Sequence, residues 1–441
     1  MREVLVNYEP VNPTTWAYLS SLLMIGLYFK FNRVLSIRNA DLLGLIALAP
    51  ALLMVQYGRQ HAASTSVEHA GYVWLFVVNG LFMLRLLLDA LMVRRPLLEP
   101  NLTVGGLTFL GVSLFVFLMA NVMAGDPDAA GVAGSERAAE LRERESSANE
   151  LTNLKTHGPG FPFLFLLPQI STQSVMGDKG KEEAIVVTSN DVPADSVEVV
   201  HIVTAKVVAI LSQLAIVLGL VLVGVRHFDN IRTGIAAATL YLLLPYTAMW
   251  TGAVTHALPG ALVVWAIVFY RWPLLAGAMI GLAFGTIYYP IFLLPLWISF
   301  YWQRGLARFL IGALAMVAVL ILVLAMKSED TAALWEKLRA WFNLMSPLAQ
   351  GRMSGVWGDY WLPIYRYPII AAHIGLSLSM ALWPAQKNLG TLIAYSAAMM
   401  LGTQFWFAHS GGLALAWYLP LLLLTTFRPN LEDRVALSVV R

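Results

Sequence analysis

The sequence predicts an all-α polytopic membrane protein, and two observations carry that prediction. The 441 residues are 58% hydrophobic and only 12% charged, about half the charged share of a soluble domain. Apolar runs of about 17–24 residues also recur from end to end, the length a helix needs to cross a bilayer. These runs are continuously apolar rather than alternating, which excludes a membrane β-barrel. The chain has no cysteine, so disulfides, thiolate nucleophiles and cysteine-held zinc or iron–sulfur centres are excluded.

In chain order the apolar segments fall near 15–29, 41–57, 71–93 and 103–124, before a long polar loop over 125–203. They resume near 205–225, 234–253, 256–270, 274–287, 290–301, 307–326, 367–384, 390–408 and 411–427, about thirteen in all. Short basic loops alternate between them: Lys30, Arg33 and Arg38; Arg94 and Arg95; Arg226 and Arg232; Arg271; Arg304 and Arg308; Lys387; Arg428, Arg434 and Arg441. The positive-inside tendency assigns these to the cytoplasm, with the N-terminus outside and the C-terminus inside. The N-terminal "MREVLVNYEPVNPTTW" lacks a basic stretch leading into an apolar core, so no cleaved signal peptide is expected. With the basic residues confined to short loops, nothing points to nucleic acid.

The stretch "GLAFGTIYYPIFLLP" (281–295) breaks off and restarts between Arg271 and Arg304, two flanks assigned to the same side. Residues 274–301 are therefore expected to form a hairpin of two short helices with "GTIYYP" at its tip, the alternative being one tilted helix with a proline kink. Irregular backbone at that depth is tolerated only beside protein or a water-filled cavity.

The loop 125–203 holds thirteen Asp/Glu and six Lys/Arg, a balance of −7. Within it, 134–150 has the interleaved signs of a short solvated helix. "HGPGFPFLFLLP" (157–168) suits a segment that dips into the outer leaflet, and 177–200 contains a short β-like run between turn residues. In a second outer loop, 327–366, the run "DTAALWEKLRAWFNLM" places Leu334, Trp335, Leu338, Trp341, Phe342 and Leu344 opposite Lys337 and Arg339. That is the pattern of an amphipathic helix lying at the interface.

Candidate chemistry collects at the outer ends of the segments. Asp126 and Asp128, in "GDPD", can share a divalent cation, or one can act as general base while the other orients it; a plain polar turn has the same composition. His157, His256 and His409 sit at outer boundaries, where a histidine can relay a proton or hold a phosphate. Tyr288 and Tyr289 at the hairpin tip can stack on a sugar or bond a phosphate, although aromatics are common at interfaces without such a role. Arg85 and Asp89 lie one helical turn apart inside an apolar segment and are expected to pair with each other.

Taken in this order, "GDPD", "GPGFPFLFLLP", "YLLLPYTAMW" and "RWPLLAGAMIGLAFGTIYYPIFLLP" resemble the GT-C superfamily of membrane glycosyltransferases, and within it the polyprenol-phosphate-mannose-dependent mannosyltransferases. The resemblance covers about 110–326. It implies a GT-C-like bundle with an outer-face loop region and a short-helix hairpin beside the active-site cavity. It also implies a polyprenyl-phosphate-linked sugar as donor, with a glycan, lipid or protein as acceptor, at the outer face of a bacterial cytoplasmic membrane. In that setting Asp126 is the candidate base, Asp128 its orienting partner, and His157, His256, Tyr288, Tyr289 and His409 the candidate substrate contacts. The family pattern has a lysine where this chain has Ile287.

The expected organisation is a three-span N-terminal extension (1–109), the GT-C-like core (110–326), the second outer loop (327–366) and a C-terminal three-span region (367–441). Two further readings follow from the same residues. One is a non-catalytic scaffold or lipid-binding subunit, and the other is a transporter, which needs a midplane site that only Arg85 and Asp89 suggest.

Overall fold

The computed structural model describes residues 12–61, 64–92, 99–143, 151, 154, 157–176, 196–343, 353–385, 387–431 and 435. The described residues are helical without a strand. In chain order they form α1 (Pro13–Tyr28), α2 (Ile37–Gln60), α3 (Thr65–Leu87), α4 (Val104–Ala124), α5 (Ala129–Glu143), α6 (Gly160–Met176), α7 (Ser196–Arg226), α8 (Ile231–Leu243) and α9 (Pro245–Met249). There follow α10 (Val254–Val268), α11 (Pro273–Thr286), α12 (Leu294–Tyr301), α13 (Leu306–Met326), α14 (Thr331–Asn343), α15 (Arg366–Leu382), α16 (Leu389–Gln404) and α17 (Leu419–Phe427). The described apolar segments are largely helical, the last of them only from Leu419, after two short 3-10 turns. Five stretches are long and apolar enough to cross a membrane: Ile37–Gln60, Thr65–Leu91, Val104–Ala124, Glu198–Arg226 and Leu306–Met326. The remaining apolar helices are shorter.

Length and position are linked. The short helices α8, α10, α16 and α17 are buried along nearly their whole circumference, as a helix apolar on every side must be. The long helices α4 and α13 stand at the periphery, with Val116, Leu314 and Leu322 among their exposed residues. Exposed apolar stripes of that extent fit a lipid surround. One hydrophobic cluster runs from Trp16 to Leu431, so residues 1–109 share the core through their described helices.

The loops gather at two ends. At the basic end, Asn101 donates to the Gly26 carbonyl (2.9 Å), Arg232 to that of Pro100 (2.9 Å), and Lys387 to Ser299 Oγ (2.8 Å). Here also Arg85 bridges Asp41 (3.0 Å) and Asp89 (2.8 Å), while Arg428 grips the other oxygen of Asp89. The expected Arg85–Asp89 pair is thus part of a network of two acids and two arginines joining α2, α3 and the end of α17. The opposite end is rich in aromatic side chains and is called the aromatic end below.

The hairpin is present. Tyr301 OH donates to the Tyr270 carbonyl (2.6 Å), bringing the foot of α12 back to the foot of α11. The arms splay: α11 packs on α10 and α13, and α12 on α15 and α16. Gly277 and Gly281, four apart on α11, let its backbone lie against α13, because a Cβ at Gly277 would run into the Phe309 carbonyl and one at Gly281 would stand 2.7 Å from that of Ala313.

Two local expectations are corrected and a third segment is given its form. Residues 134–143 are not a solvated helix: α5 packs on α6 and α7 and buries Ser135, Arg137 and Ala138. The proline-rich segment forms the helix α6, with Pro168 inside it, held against α5, α7 and α11. In α14, Trp335 and Trp341 do not share a face, since six residues at about 100° each set them about 120° apart. Trp341 is buried, Trp335 is 70% exposed, and Lys337 turns inward to donate to the Lys327 carbonyl (3.0 Å). Arg94, Arg95, Arg434, Arg441, residues 177–195 and the N-terminal eleven residues lie outside the described residues, and the last five residues of the expected β-like segment, 196–200, are the start of the helix α7.

Candidate functional site at the aromatic end

The site is built on the start of α10. Its first three residues each receive a different part of the chain. The Val254 N–H donates to Asp128 Oδ2 (3.2 Å), the Thr255 carbonyl accepts from Trp417 Nε1 (3.0 Å), and His256 Nδ1 meets Tyr246 OH (2.8 Å). The α11–α12 tip docks beside it. Gly158 N–H donates to the Thr286 carbonyl (3.2 Å), and a Cβ at Gly158 would collide with the Gly285 carbonyl, so "HGPG" and "FGT" approach backbone to backbone.

The two aspartates differ. Asp128 precedes α5 and accepts the N–H groups of Ala130 and Gly131, the usual N-cap geometry, while also capping α10 through Val254. One carboxylate therefore closes two helix starts. Burial raises its pKa above the ordinary carboxylate value, against the lowering by its three amide donors. Asp126, two residues earlier, is exposed. Its charge acts on Lys206, whose Nζ donates to the Met123 carbonyl (2.9 Å).

His157, His409 and Tyr289 come together. His157 stacks on Phe161 (centroids 4.7 Å), and the Arg137 guanidinium lies over the same ring at 5.6 Å. Burial, with the charges of Arg137 and His409, pushes the His157 pKa down to about 3. Its imidazole is therefore neutral at physiological pH and can donate or accept one proton without supplying positive charge. His409 is also lowered, by burial and then by the nearby charge of Arg366. Its ring lies 6.0 Å from Phe407, which in turn packs 5.3 Å from Tyr289. Tyr289 is buried among Trp406, Phe407 and Trp417. Tyr288 is half-buried against Phe284 and Phe292. His256 lies nearly parallel to Tyr246 and Trp250.

Sequence reasoning missed the cations of this end. Arg137 lies on the buried face of α5, and Arg366 is almost wholly buried, donating through Nε (3.0 Å) and Nη2 (2.9 Å) to the Trp406 carbonyl. Also missed was the Arg59–Glu68 pair (3.5 Å), which reaches Tyr72 and Tyr360. The signal available for Arg137 was "GVAGSERAA", small residues spaced for close helix contact around one arginine. Ile287, which stands where the resembled pattern has a lysine, is buried at the end of α11. Among the described residues, no three His, Asp or Glu side chains are grouped to hold a metal ion. A small void of about 20 Å³ lies beside Arg137, Glu140 and Lys327.

Compared with protein-family models and with curated proteins, the chain matches none of them.

Proposed function

We propose that this protein is a multi-pass membrane glycosyltransferase that uses a polyprenyl-phosphate-linked sugar, with the aromatic end at the outer face of the cytoplasmic membrane and about thirteen segments in the bundle. One observation carries the reading. Asp126 is an exposed carboxylate, held two residues from the double helix cap of Asp128, at the same end as the docked hairpin tip, His157, His409, Tyr289 and two buried arginines. An accessible carboxylate suits a general base that takes the proton of an acceptor hydroxyl. Asp128, engaged by three backbone amides, suits the role of fixing the turn. The leaving lipid phosphate needs cationic or hydrogen-bonding groups at its developing charge, and Arg137 and Arg366 supply the charge that a lysine at 287 would otherwise bring.

The test is sugar transfer from a polyprenyl-phosphate-hexose by protein reconstituted in vesicles. Asp126→Asn is expected to lower transfer by at least about 100-fold with no change in thermal stability. Equal rates for the variant and the wild type sink the assignment. Ile287 favours a second reading, a lipid-binding scaffold without turnover. That reading predicts donor binding without transfer in the same vesicles. Transport has less support, because Arg85 and Asp89 belong to the network at the basic end.

A further inference from the structure

At the aromatic end the chain ahead of α15 lies across the bundle as a strap, 353–365. Gly355, at φ +73°, leads it into one π-helical turn, Val356–Tyr360. One side of the strap is tied to the loop after α16. The Ser354 N–H donates to the Ala408 carbonyl (3.1 Å) and Trp357 Nε1 to that of Phe405 (3.2 Å). The other side meets the start of α3. Tyr360 OH donates to Glu68 Oε2 (2.9 Å), its ring lies parallel to that of His69 (centroids 4.9 Å), and Trp361 Nε1 donates to His69 Nε2 (3.1 Å). An indole nitrogen is a donor only, so His69 Nε2 is the acceptor and the imidazole making this bond is neutral, with its proton on Nδ1.

We propose that His69 is a pH-sensitive latch for this strap: a proton on Nε2 sets two N–H donors face to face and releases Trp361 from α3. The stack on Tyr360 survives protonation, because a cation over a phenol ring is favourable, so the indole is the group expelled. Among the described residues, α2 brings Arg59 to this neighbourhood, α3 brings Glu68 and Tyr72, and the strap brings Asp359 and Tyr360. The helix α16, also packed on α3, carries only Tyr395 as a titratable group, and that residue feels Asp89 at the basic end. Glu68 and Asp359 favour a cationic His69 and Arg59 opposes it, so these charges set how readily the proton binds, whereas the indole decides which bond it breaks. The loop 405–408 held by the strap packs on Tyr289 through Trp406 and Phe407, so release loosens the cover of the candidate site. The proposal is independent of the transferase reading.

The chain has no cysteine, so cysteines introduced at the exposed residues Gln60, at the end of α2, and Leu362, on the strap, carry the only two spin labels. The experiment is the distance distribution between them, measured by pulsed electron resonance on the full chain in vesicles at about pH 8 and about pH 5, on either side of the histidine range. One short distance is expected at the higher pH, and at the lower pH a longer population raised about ten-fold, the effect of leaving two donors unmatched. His69→Gln offers the indole an amide oxygen that does not titrate, and should hold the short distance at both pH values. Trp361→Phe keeps a ring on Phe76 and has no N–H to be opposed, so its distribution should not respond to pH either. Equal wild-type distributions at the two pH values overturn the proposal, and that comparison needs no substitution beyond the labels. A shift that persists in His69→Gln also overturns it, and assigns the response to Glu68, to Asp359 or to general acid loosening.

Discussion

At the basic end, acids and arginines inside the bundle neutralise one another: Asp41, Arg85, Asp89 and Arg428 form one continuous network. At the aromatic end, beside the Arg59–Glu68 and Lys327–Glu140 pairs, further polar groups serve helix starts, ring faces and carbonyls. Asp128 serves amides, Arg366 serves a carbonyl, Arg137 lies on a ring, and Asp126 faces outward. The contrast separates two uses of charge in an apolar protein. Paired charge holds helices together, while the exposed carboxylate of Asp126 faces outward from the cap beside it.

Substitutions at four positions test that contrast. Asp89→Ala leaves two arginines without their shared acid and should cost about 3–5 kcal/mol, read as lost thermal stability in detergent. A loss below about 1 kcal/mol would deny the network its structural role. Gly281→Leu should cost about 1–3 kcal/mol by forcing α11 off α13. Cross-linking between cysteines introduced on the two helices would detect the separation. Asp128→Ala removes a cap shared by α5 and α10 and should cost about 1 kcal/mol, whereas Asp128→Asn, which still accepts N–H groups, should stay close to wild type. Asp126→Ala should leave stability within about 0.5 kcal/mol. If it destabilises as strongly as Asp89→Ala, the two ends do not differ in kind.

A pH titration sharpens the same contrast. The folded pKa of His157 lies near 3, below the ordinary 6.5, so the unfolded chain binds the extra proton first. Stability from this residue is complete above about 6.5 and declines as the pH falls toward 3. His157→Gln should flatten that part of the pH–stability curve. An imidazole resonance of His157 that titrates near neutral pH would contradict the buried geometry.

The apolar segments and the hairpin were legible because both are written in local hydropathy and in the arginines that flank 274–301. The aromatic end was legible only in part. His157, Tyr289 and His409 are at span boundaries, so alternation of the chain sends them to one end, and the structure brings them into one neighbourhood. The burial of Arg137 was hidden because interleaved charges in 134–150 look alike whether a helix faces water or another helix. Trp335 and Trp341 misled through a loosely drawn helical face. The double cap by Asp128 was invisible, since no periodicity links "GDPD" to a helix start so far along the chain.

That cap has a consequence for the order in which the protein matures. Asp128 and Val254 are 126 residues apart, and a contact of that span closes only after the intervening chain has been made and has folded back. While a nascent chain ends short of Val254, the start of α5 has only its own two amides on the Asp128 carboxylate. The turn carrying Asp126 acquires its final orientation when α10 arrives. Presentation of the candidate base is thus a late event in biogenesis, and a chain truncated before α10 retains the "GDPD" sequence without the anchor that aims it.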